Sequence, residues 1–301
     1  MQINKLKDFS KEIQGKLLFD FDLKKTNWFN IGGITKAYFK PENLNDLVSF
    51  MKNFGNTEKI FILGLGSNVL INDTGFDGVV IKLGKNFSNI SILPNKTIVA
   101  GSSTLDKKVA EFSSEEGVGG LEFLSCIPGT IGGGIKMNSG CFGTEFKDVL
   151  ISIQAIDKTG KILTIPSSNF NFEYRKSNLP KDLIFLSASF KGKPKSKDLI
   201  KQEIEMLKLK KEASQPTRVK TGGSTFKNPI NQTNKKVWEL IRSSVPNNVS
   251  FGDATISDKH SNFFVNKNNA SFNDMKQLID FVKKKSKRKN GYKFRFRNRN
   301  S

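Results

Sequence analysis

The chain has 301 residues, 37% of them hydrophobic, and a formal net charge of +21. That length supports two modest domains with separate cores, while two cysteines and a single histidine exclude a disulfide scaffold and argue against any metal site of the zinc type. No run of about 18 apolar residues offers a membrane span, and the charged, interrupted residues 1–20 lack the apolar core of a secretion signal, so a cytoplasmic protein with Cys126 and Cys141 reduced is expected.

In chain order, short apolar runs alternate with Gly, Asn and Asp. Residues 37–39 predict a strand and 43–54 a helix, with Leu47, Val48, Phe50 and Met51 on its apolar side. Strands are predicted at 59–63, 69–71, 79–83 and 97–100, then a helix at 105–116 with Gly117 as its cap. Strands at 150–156 and 161–165 are joined by the turn Lys158-Thr159-Gly160, and 184–190 is a further strand. Residues 191–197 read as a Lys-, Pro- and Gly-containing linker before a charged helix at 198–213. The domain boundary is placed there, giving domains 1–193 and 194–301. The remainder predicts a helix at 234–243, a strand at 262–265 and a helix at 273–285. Neither half alternates βαβ regularly, so the class is α+β.

Two glycine-rich segments stand out. GLGSN at 64–68 opens like a dinucleotide-binding G-x-G-x-x-G, but Val69 stands where the third glycine belongs and a strand follows, against a Rossmann site. A purely structural turn explains this segment alone, although Gly64 and Gly66 can also turn backbone N–H groups toward a diphosphate. IPGTIGGGIKMNSG at 127–140 is read as a loop. Its apolar flanks (Leu121, Phe123, Leu124, Ile127) oppose a solvated linker and suggest backbone packed against something large and flat, such as a cofactor.

Six motifs then occur in a fixed order: TNWFNIGG (26–33), LGLGSNVLINDTGF (63–76), GLEFLSCIPGTIGGGIKMNSGCFG (120–143), YRKSNLP (174–180), GGSTFKNP (222–229) and SDKHSNFFVN (257–266). Together they resemble the UDP-N-acetylenolpyruvoylglucosamine reductase (MurB) family, in its shorter branch. The resemblance implies a vanillyl-alcohol-oxidase (PCMH) type FAD-binding domain of two subdomains, plus a smaller α+β C-terminal substrate domain. It implies FAD as cofactor, NADPH as hydride donor and a UDP-sugar substrate, UDP-N-acetylglucosamine enolpyruvate, reduced to UDP-N-acetylmuramate for peptidoglycan. FAD contacts fall on Gly64, Gly66, Ser67, Asn68, Pro128, Gly129, Thr130, Gly132, Gly133, Asn138 and Gly140, and substrate contacts on Tyr174, Lys227 and Asn228. A monomer with no nucleic-acid partner is expected.

Hydride addition to an enol ether places negative charge next to the carboxylate. A fixed cation there stabilises the transition state more than the ground state. Arg175 matches the family's cation; on sequence alone, a surface ion pair fits it equally. Ser224 matches the family's proton donor, a role that requires a dry, polarised site; without the resemblance, a turn serine is the better reading. His260 reads as structural, and no Ser-His-Asp set is supported.

The alternatives are another FAD oxidoreductase of the same fold and a basic nucleic-acid-binding protein. The second leans on residues 283–301, which hold ten of the basic residues and no acid. In the family this region carries an acidic-apolar strand with a glutamate at the substrate. Here Arg297 stands in that place. With AT-rich codons, a one-nucleotide shift would read residues 293–300 as Asn-Leu-Asp-Leu-Glu-Ile-Glu-Ile. The tail is therefore read as a lost catalytic strand, and the expectation is FAD binding with impaired turnover.

Overall fold

The computed structural model describes residues 3–246, 248–297 and 299–300, the last two by their backbone. The chain divides into two compact units. The first comprises the chain up to Phe19, Lys36–Leu65 and Asp77–Lys211; the second comprises Asp20–Thr35, Gly66–Phe76 and the chain from Glu212 onward. This differs from a single cut at residue 193. Residues 191–197, read as a linker, contain the strand Lys193–Pro194, which pairs antiparallel with Val118–Gly119. Lys195 also bonds Glu122, a side chain only 5% exposed. These ties hold the segment in the first unit, and the division comes later.

The first unit contains two hydrophobic cores. One joins helix α1 (Ile3–Phe9) and helix α2 (Leu44–Phe54) to a four-stranded sheet of order Lys16–Asp22, Ile34–Lys40, Phe76–Ile81, Ile60–Ile62. Helix α2 starts where the Asn43 side chain accepts from the Asp46 N–H at 3.0 Å, an N-cap that answers one orphan donor. Its residues Leu47, Phe50, Met51 and Phe54 recur at helical spacing and are all buried. The Phe50 ring lies 4.7 Å from Phe39 and 5.3 Å from Phe54.

The other core is built on a five-stranded antiparallel sheet of order Ile162–Pro166, Leu150–Ile156, Ile184–Phe190, Ile98–Gly101, Ile90–Ile92. The predicted strands 150–156 and 184–190 coincide with the observed ones, and Gly160 turns the first hairpin at φ +82. This core also takes residues of helices α3 (Asp106–Glu115), α4 (Ile131–Met137), α5 (Phe146–Val149) and α6 (Lys197–Ser214). Helix α4 corrects the reading of 127–140 as a loop. Ile131 and Ile135, four apart, are both fully buried. Gly134 faces the Phe146 ring, where an added Cβ would come within 2.3 Å. Close packing, not chain flexibility, accounts for that glycine, and burial outweighs its poor helix propensity.

The second unit has one core, drawn from Phe29, Ile31 and Leu70 as well as from the C-terminal third. It holds helix α7 (Val237–Ser244), helix α8 (Phe272–Asn290) and an antiparallel sheet of order Ser250–Phe251, Ala254–Ile256, Phe264–Asn266. Helix α8 opens with a capping box of Ser271 and Asp274 and closes at Gly291, φ +75. It runs past the predicted end at 285, because its last turn is Lys- and Arg-rich and suits the C-terminal dipole. The motifs at 26–33 and 66–76 interlock by backbone: a Cβ on Gly33 would lie 2.0 Å from the Asp73 carbonyl oxygen, and one on Gly75 1.8 Å from that of Ile34. Among the described residues, no helix is long and apolar enough to cross a membrane.

Truncating Phe50 removes a fully buried ring from the first core. Phe50→Ala is expected to lower unfolding stability by about 3–5 kcal/mol in urea titration; a loss under about 1 kcal/mol would contradict this packing.

Candidate functional site

In the first unit the glycine-rich segment is held by main-chain bonds. The Ile131 N–H donates to the Thr104 carbonyl at 3.0 Å and the Gly132 N–H to the Ser102 carbonyl at 2.9 Å. Thr130 is the N-cap residue of α4, and its side chain makes no capping bond. A Cβ on Gly64 would lie 2.8 Å from the Thr130 hydroxyl, and one on Gly132 3.2 Å from Ser102. Pro128 and Gly133 are exposed and Gly129 is half-buried. Beside this segment the Ser102 and Thr104 hydroxyls are buried without a hydrogen-bond partner, a condition native proteins rarely leave unanswered. A cradle that a Cβ would fill, lined by unanswered hydroxyls, fits an oxygen-rich cofactor such as a flavin nucleotide.

Asp106, the first residue of α3, sits under the same segment. Its N–H donates to the Gly129 carbonyl at 3.1 Å, and its carboxyl is fully buried with neither oxygen partnered. Burial alone pushes that carboxyl well above the ordinary carboxylate range. The residue gave no signal in the sequence beyond its place at a helix start.

At the other end of α4, Asn138 adopts a left-handed conformation, φ 40, and is fully buried. Its amide donates to Glu145 Oε2 at 2.9 Å and to the Glu173 carbonyl at 3.1 Å, while its Oδ1 accepts from the Lys147 N–H at 3.1 Å. Arg175 lies at the turn of the hairpin formed by Phe172–Glu173 and Lys176–Ser177, itself at φ 55. Its guanidinium bonds the Gly140 carbonyl at 2.8 Å and the Asn138 carbonyl at 3.3 Å, pairs with Glu145, and stacks 4.9 Å from the Tyr174 ring centroid. Asn138, Gly140, Tyr174 and Arg175, predicted from separate motifs, thus form one cluster. The Arg175–Glu145 pair is no surface pair, with side chains 14% and 15% exposed. Glu145 was missed; its signal was a lone acid directly after Gly143-Thr144.

In the second unit, Gly66 adopts φ +74 against Asn27, and its carbonyl accepts from the Trp28 N–H at 3.1 Å. Ser67 and Asn68 are half-buried, and the Asn68 amide nitrogen has no partner. Ser224 bridges Phe263 in an antiparallel pairing, and the two residues after it are held by Asn262. The Thr225 N–H donates to the Asn262 carbonyl at 2.7 Å, the Phe226 N–H to Asn262 Oδ1 at 2.9 Å, and the Asn262 amide back to the Phe226 carbonyl at 2.9 Å. Ser224 itself is half-buried. Asn228 Oδ1 accepts from the Val237 N–H at 3.0 Å, which commits that oxygen to the start of α7. His260 Nδ1 accepts from the Asn262 N–H at 3.1 Å. Its ring lies 4.8 Å from Phe263, and burial holds its pKa below the usual range.

The basic tail pairs with this same stretch. The Lys227 N–H donates to the Arg295 carbonyl at 3.0 Å and the Arg297 N–H to the Thr225 carbonyl at 2.9 Å; Arg299–Asn300 then pairs parallel with Val69–Leu70. Asn298 and Ser301 lie outside the described residues. The backbone of the tail is thus paired, through an isolated bridge of Phe296 with Phe226 and the two-residue strand Arg299–Asn300, while Arg297 still stands where a glutamate is expected. Phe294 and Phe296 alternate with basic residues and reach Phe226 at 5.4 and 6.5 Å between ring centroids. Period-two alternation is what a strand requires, and it survives the change of charge.

Residues 35–166 match the family described as an FAD binding domain, and residues 215–296 match the UDP-N-acetylenolpyruvoylglucosamine reductase C-terminal domain. The chain is 65% identical to a UDP-N-acetylenolpyruvoylglucosamine reductase of Pelagibacter ubique over 97% of its length and 96% of the relative's. It is 42% identical to one of Rickettsia typhi over 91% of each chain. Among solved structures, a UDP-N-acetylenolpyruvylglucosamine reductase (MurB) from Thermus caldophilus superposes with a TM-score of 0.81 at 26% identity, over 96% of this chain and 99% of that one. Among the described residues no cluster of His, Cys, Asp and Glu could hold a metal ion.

The Asp106 carboxyl generates a test. Its raised folded pKa means that its contribution to stability is full below about pH 3.9, where the unfolded chain is also protonated, and is lost as pH rises. Asp106→Asn is expected to gain stability relative to the parent between pH 4 and pH 8 in urea titrations at each pH. A difference that does not change with pH would contradict a buried neutral carboxyl.

Proposed function

The chain belongs to the UDP-N-acetylenolpyruvoylglucosamine reductase family, and from that premise we propose how its residues divide the work of reducing UDP-N-acetylglucosamine enolpyruvate to UDP-N-acetylmuramate for peptidoglycan synthesis. The observation that carries the reading is the correspondence with named reductases over nearly the whole chain. That correspondence does not favour a member disabled by Arg297, nor another FAD oxidoreductase of the same fold. We place the enzyme in the cytoplasm as a monomer, with NADPH and the UDP-sugar as its small-molecule partners.

Gly64, Gly66, Ser67 and Asn68, with Pro128, Gly129, Thr130, Gly132, Gly133, Asn138 and Gly140, are the residues assigned to hold FAD. The unanswered hydroxyls of Ser102 and Thr104 and the unanswered Asn68 amide support that assignment. Bound FAD supplies the two-electron carrier between NADPH and the enolpyruvyl double bond.

Arg175 is assigned to the substrate carboxylate, where it offsets the charge that builds as hydride arrives. Glu145 and the carbonyls of Asn138 and Gly140 position the guanidinium, so no reorganisation is needed at that moment. Ser224 is assigned as the donor of the proton to the carbon beside the carboxylate. Its support is a half-buried residue followed directly by Thr225 and Phe226, whose backbone Asn262 holds. Tyr174, Lys227 and Asn228 are assigned to the substrate's sugar and diphosphate. Asn228 would do so through its amide group, since its oxygen already serves α7.

Purified protein is expected to be yellow, with a flavin spectrum, and to oxidise NADPH only slowly until the enolpyruvyl substrate is added. NADPH oxidation indifferent to that substrate would sink the reading. Ser224→Ala is expected to lower kcat for the enolpyruvyl substrate by about 10²–10⁴ and Arg175→Ala by about 10²–10³. In both variants NADPH still bleaches the flavin absorbance. Turnover unchanged in either variant would remove that residue from its role.

A further inference from the structure

Three strands of the first unit end at one edge of the four-stranded sheet. Ile60–Ile62 and Phe76–Ile81 run parallel, with Ile62 opposite Ile81. Ile34–Lys40 advances beside Phe76–Ile81 in the same direction: Lys36 pairs with Asp77, and further on the Lys82 N–H donates to the Phe39 carbonyl at 2.9 Å. The carboxyl ends of these strands therefore bring Lys40, Lys82 and the Leu63-Gly64 segment to one edge. Ligands of open sheets gather outside the carboxyl ends of parallel strands.

The chain around Lys82 is tied to both segments assigned to FAD. On one side the Leu63 N–H donates to the Ile81 carbonyl at 2.9 Å, immediately before Gly64. On the other the Ser103 hydroxyl donates to the Gly84 carbonyl at 2.7 Å, between the unanswered hydroxyls of Ser102 and Thr104. The two sides meet where a Cβ on Gly64 would lie 2.8 Å from the Thr130 hydroxyl.

Side chains alternate across a strand. Ala37, Phe39, Val79 and Ile81 join the core with α1 and α2, so Lys40 and Lys82 leave the sheet on its other face. Lys40 is exposed, its Nζ 5.6 Å from the Tyr38 ring centroid, whereas Lys82 is half-buried. Among the described residues no ion pair and no side-chain hydrogen bond reaches the Lys82 ammonium. Burial, then the charge of Lys40, hold its pKa below the ordinary lysine value. A half-buried cation beside a like charge, with no acid of its own, is unfavourable, and an anion from outside the chain relieves it.

We propose that Lys82 is a further FAD-binding residue, whose ammonium holds the cofactor's diphosphate beside the glycine segments. Backbone N–H groups of such segments supply direction, and a lysine supplies a compact positive charge. Lys40, exposed at the same edge, adds potential without a fixed contact. The inference rests on the assignment of FAD to these segments. A parent protein that carries no flavin would defeat both, whereas a flavin-bearing parent that Lys82→Met leaves unchanged would defeat this inference alone.

The test follows the fluorescence of FAD released on serial dilution of the flavin-bound parent and its variants, at several NaCl concentrations. Lys82→Met is expected to raise the FAD Kd by about 10–100-fold. Lys82→Arg is expected to restore most of that affinity, and Lys85→Met, at an exposed lysine beyond Gly84, to leave it at the parent value. The parent's Kd is expected to rise with salt, more steeply than that of Lys82→Met. An equal loss in Lys82→Arg and Lys82→Met would assign the effect to packing and overturn the proposal. So would an unchanged FAD Kd in Lys82→Met, or a change confined to KM for the UDP-sugar or NADPH, which would give the lysine to another diphosphate. If Lys82→Met does not fold, the parent decides: FAD release that ignores NaCl would overturn the proposal by itself.

Discussion

The cluster around Arg175 depends on one buried asparagine. Asn138 takes a conformation that few side chains accept, ends α4, and spends its whole carboxamide on Glu145, Lys147 and the Glu173 carbonyl. An asparagine is suited to all three tasks, because it tolerates left-handed backbone and carries a donor and an acceptor. An alanine at this position would take away the side-chain partner of the part-buried Glu173 carbonyl and Lys147 N–H. Through Glu145 and its own carbonyl, Asn138 also fixes the guanidinium of Arg175. The end of a helix and the direction of a cation are thus set by one residue.

The same economy appears at the glycines. Gly33, Gly66, Gly75 and Gly134 sit where a Cβ would strike backbone or an aromatic ring. They are places where two pieces of chain touch without side chains between them, so position is passed from one motif to the next with little slack. Asn262 does the equivalent work with side-chain bonds beneath Ser224. These residues belong to the glycine- and asparagine-bearing motifs of the chain, yet most of them do structural work.

Long periodic elements were legible in the sequence. Helix α2 and the strands Leu150–Ile156 and Ile184–Phe190 match their predicted spans closely, because apolar spacing states their buried faces. Helix α4 was not legible, since three glycines mask its helical period, and only the fully buried pair Ile131 and Ile135 reveals it. The interleaving of the two units was hidden for a different reason. Residues 20–35 and 66–76 join the second unit through backbone contacts between distant motifs, and no local pattern encodes a partner. Arg175 and Asn138 could be named from motifs, whereas Glu145 could not, because an isolated acid carries no periodicity. The polarity of Asp106 was visible and its burial was not.

The C-terminal tail separates two kinds of information carried by one strand. Its inward positions, Phe294 and Phe296, hold the backbone beside Thr225 and Phe226, and any apolar residues of similar size would do the same. Between and beside them, Arg295 and Arg297 join the same run through main-chain groups that bond Lys227 and Thr225. Those bonds are indifferent to the side chain carried, so the route of the tail past Thr225 and Phe226 is written in its phenylalanines and its main chain rather than in its charges.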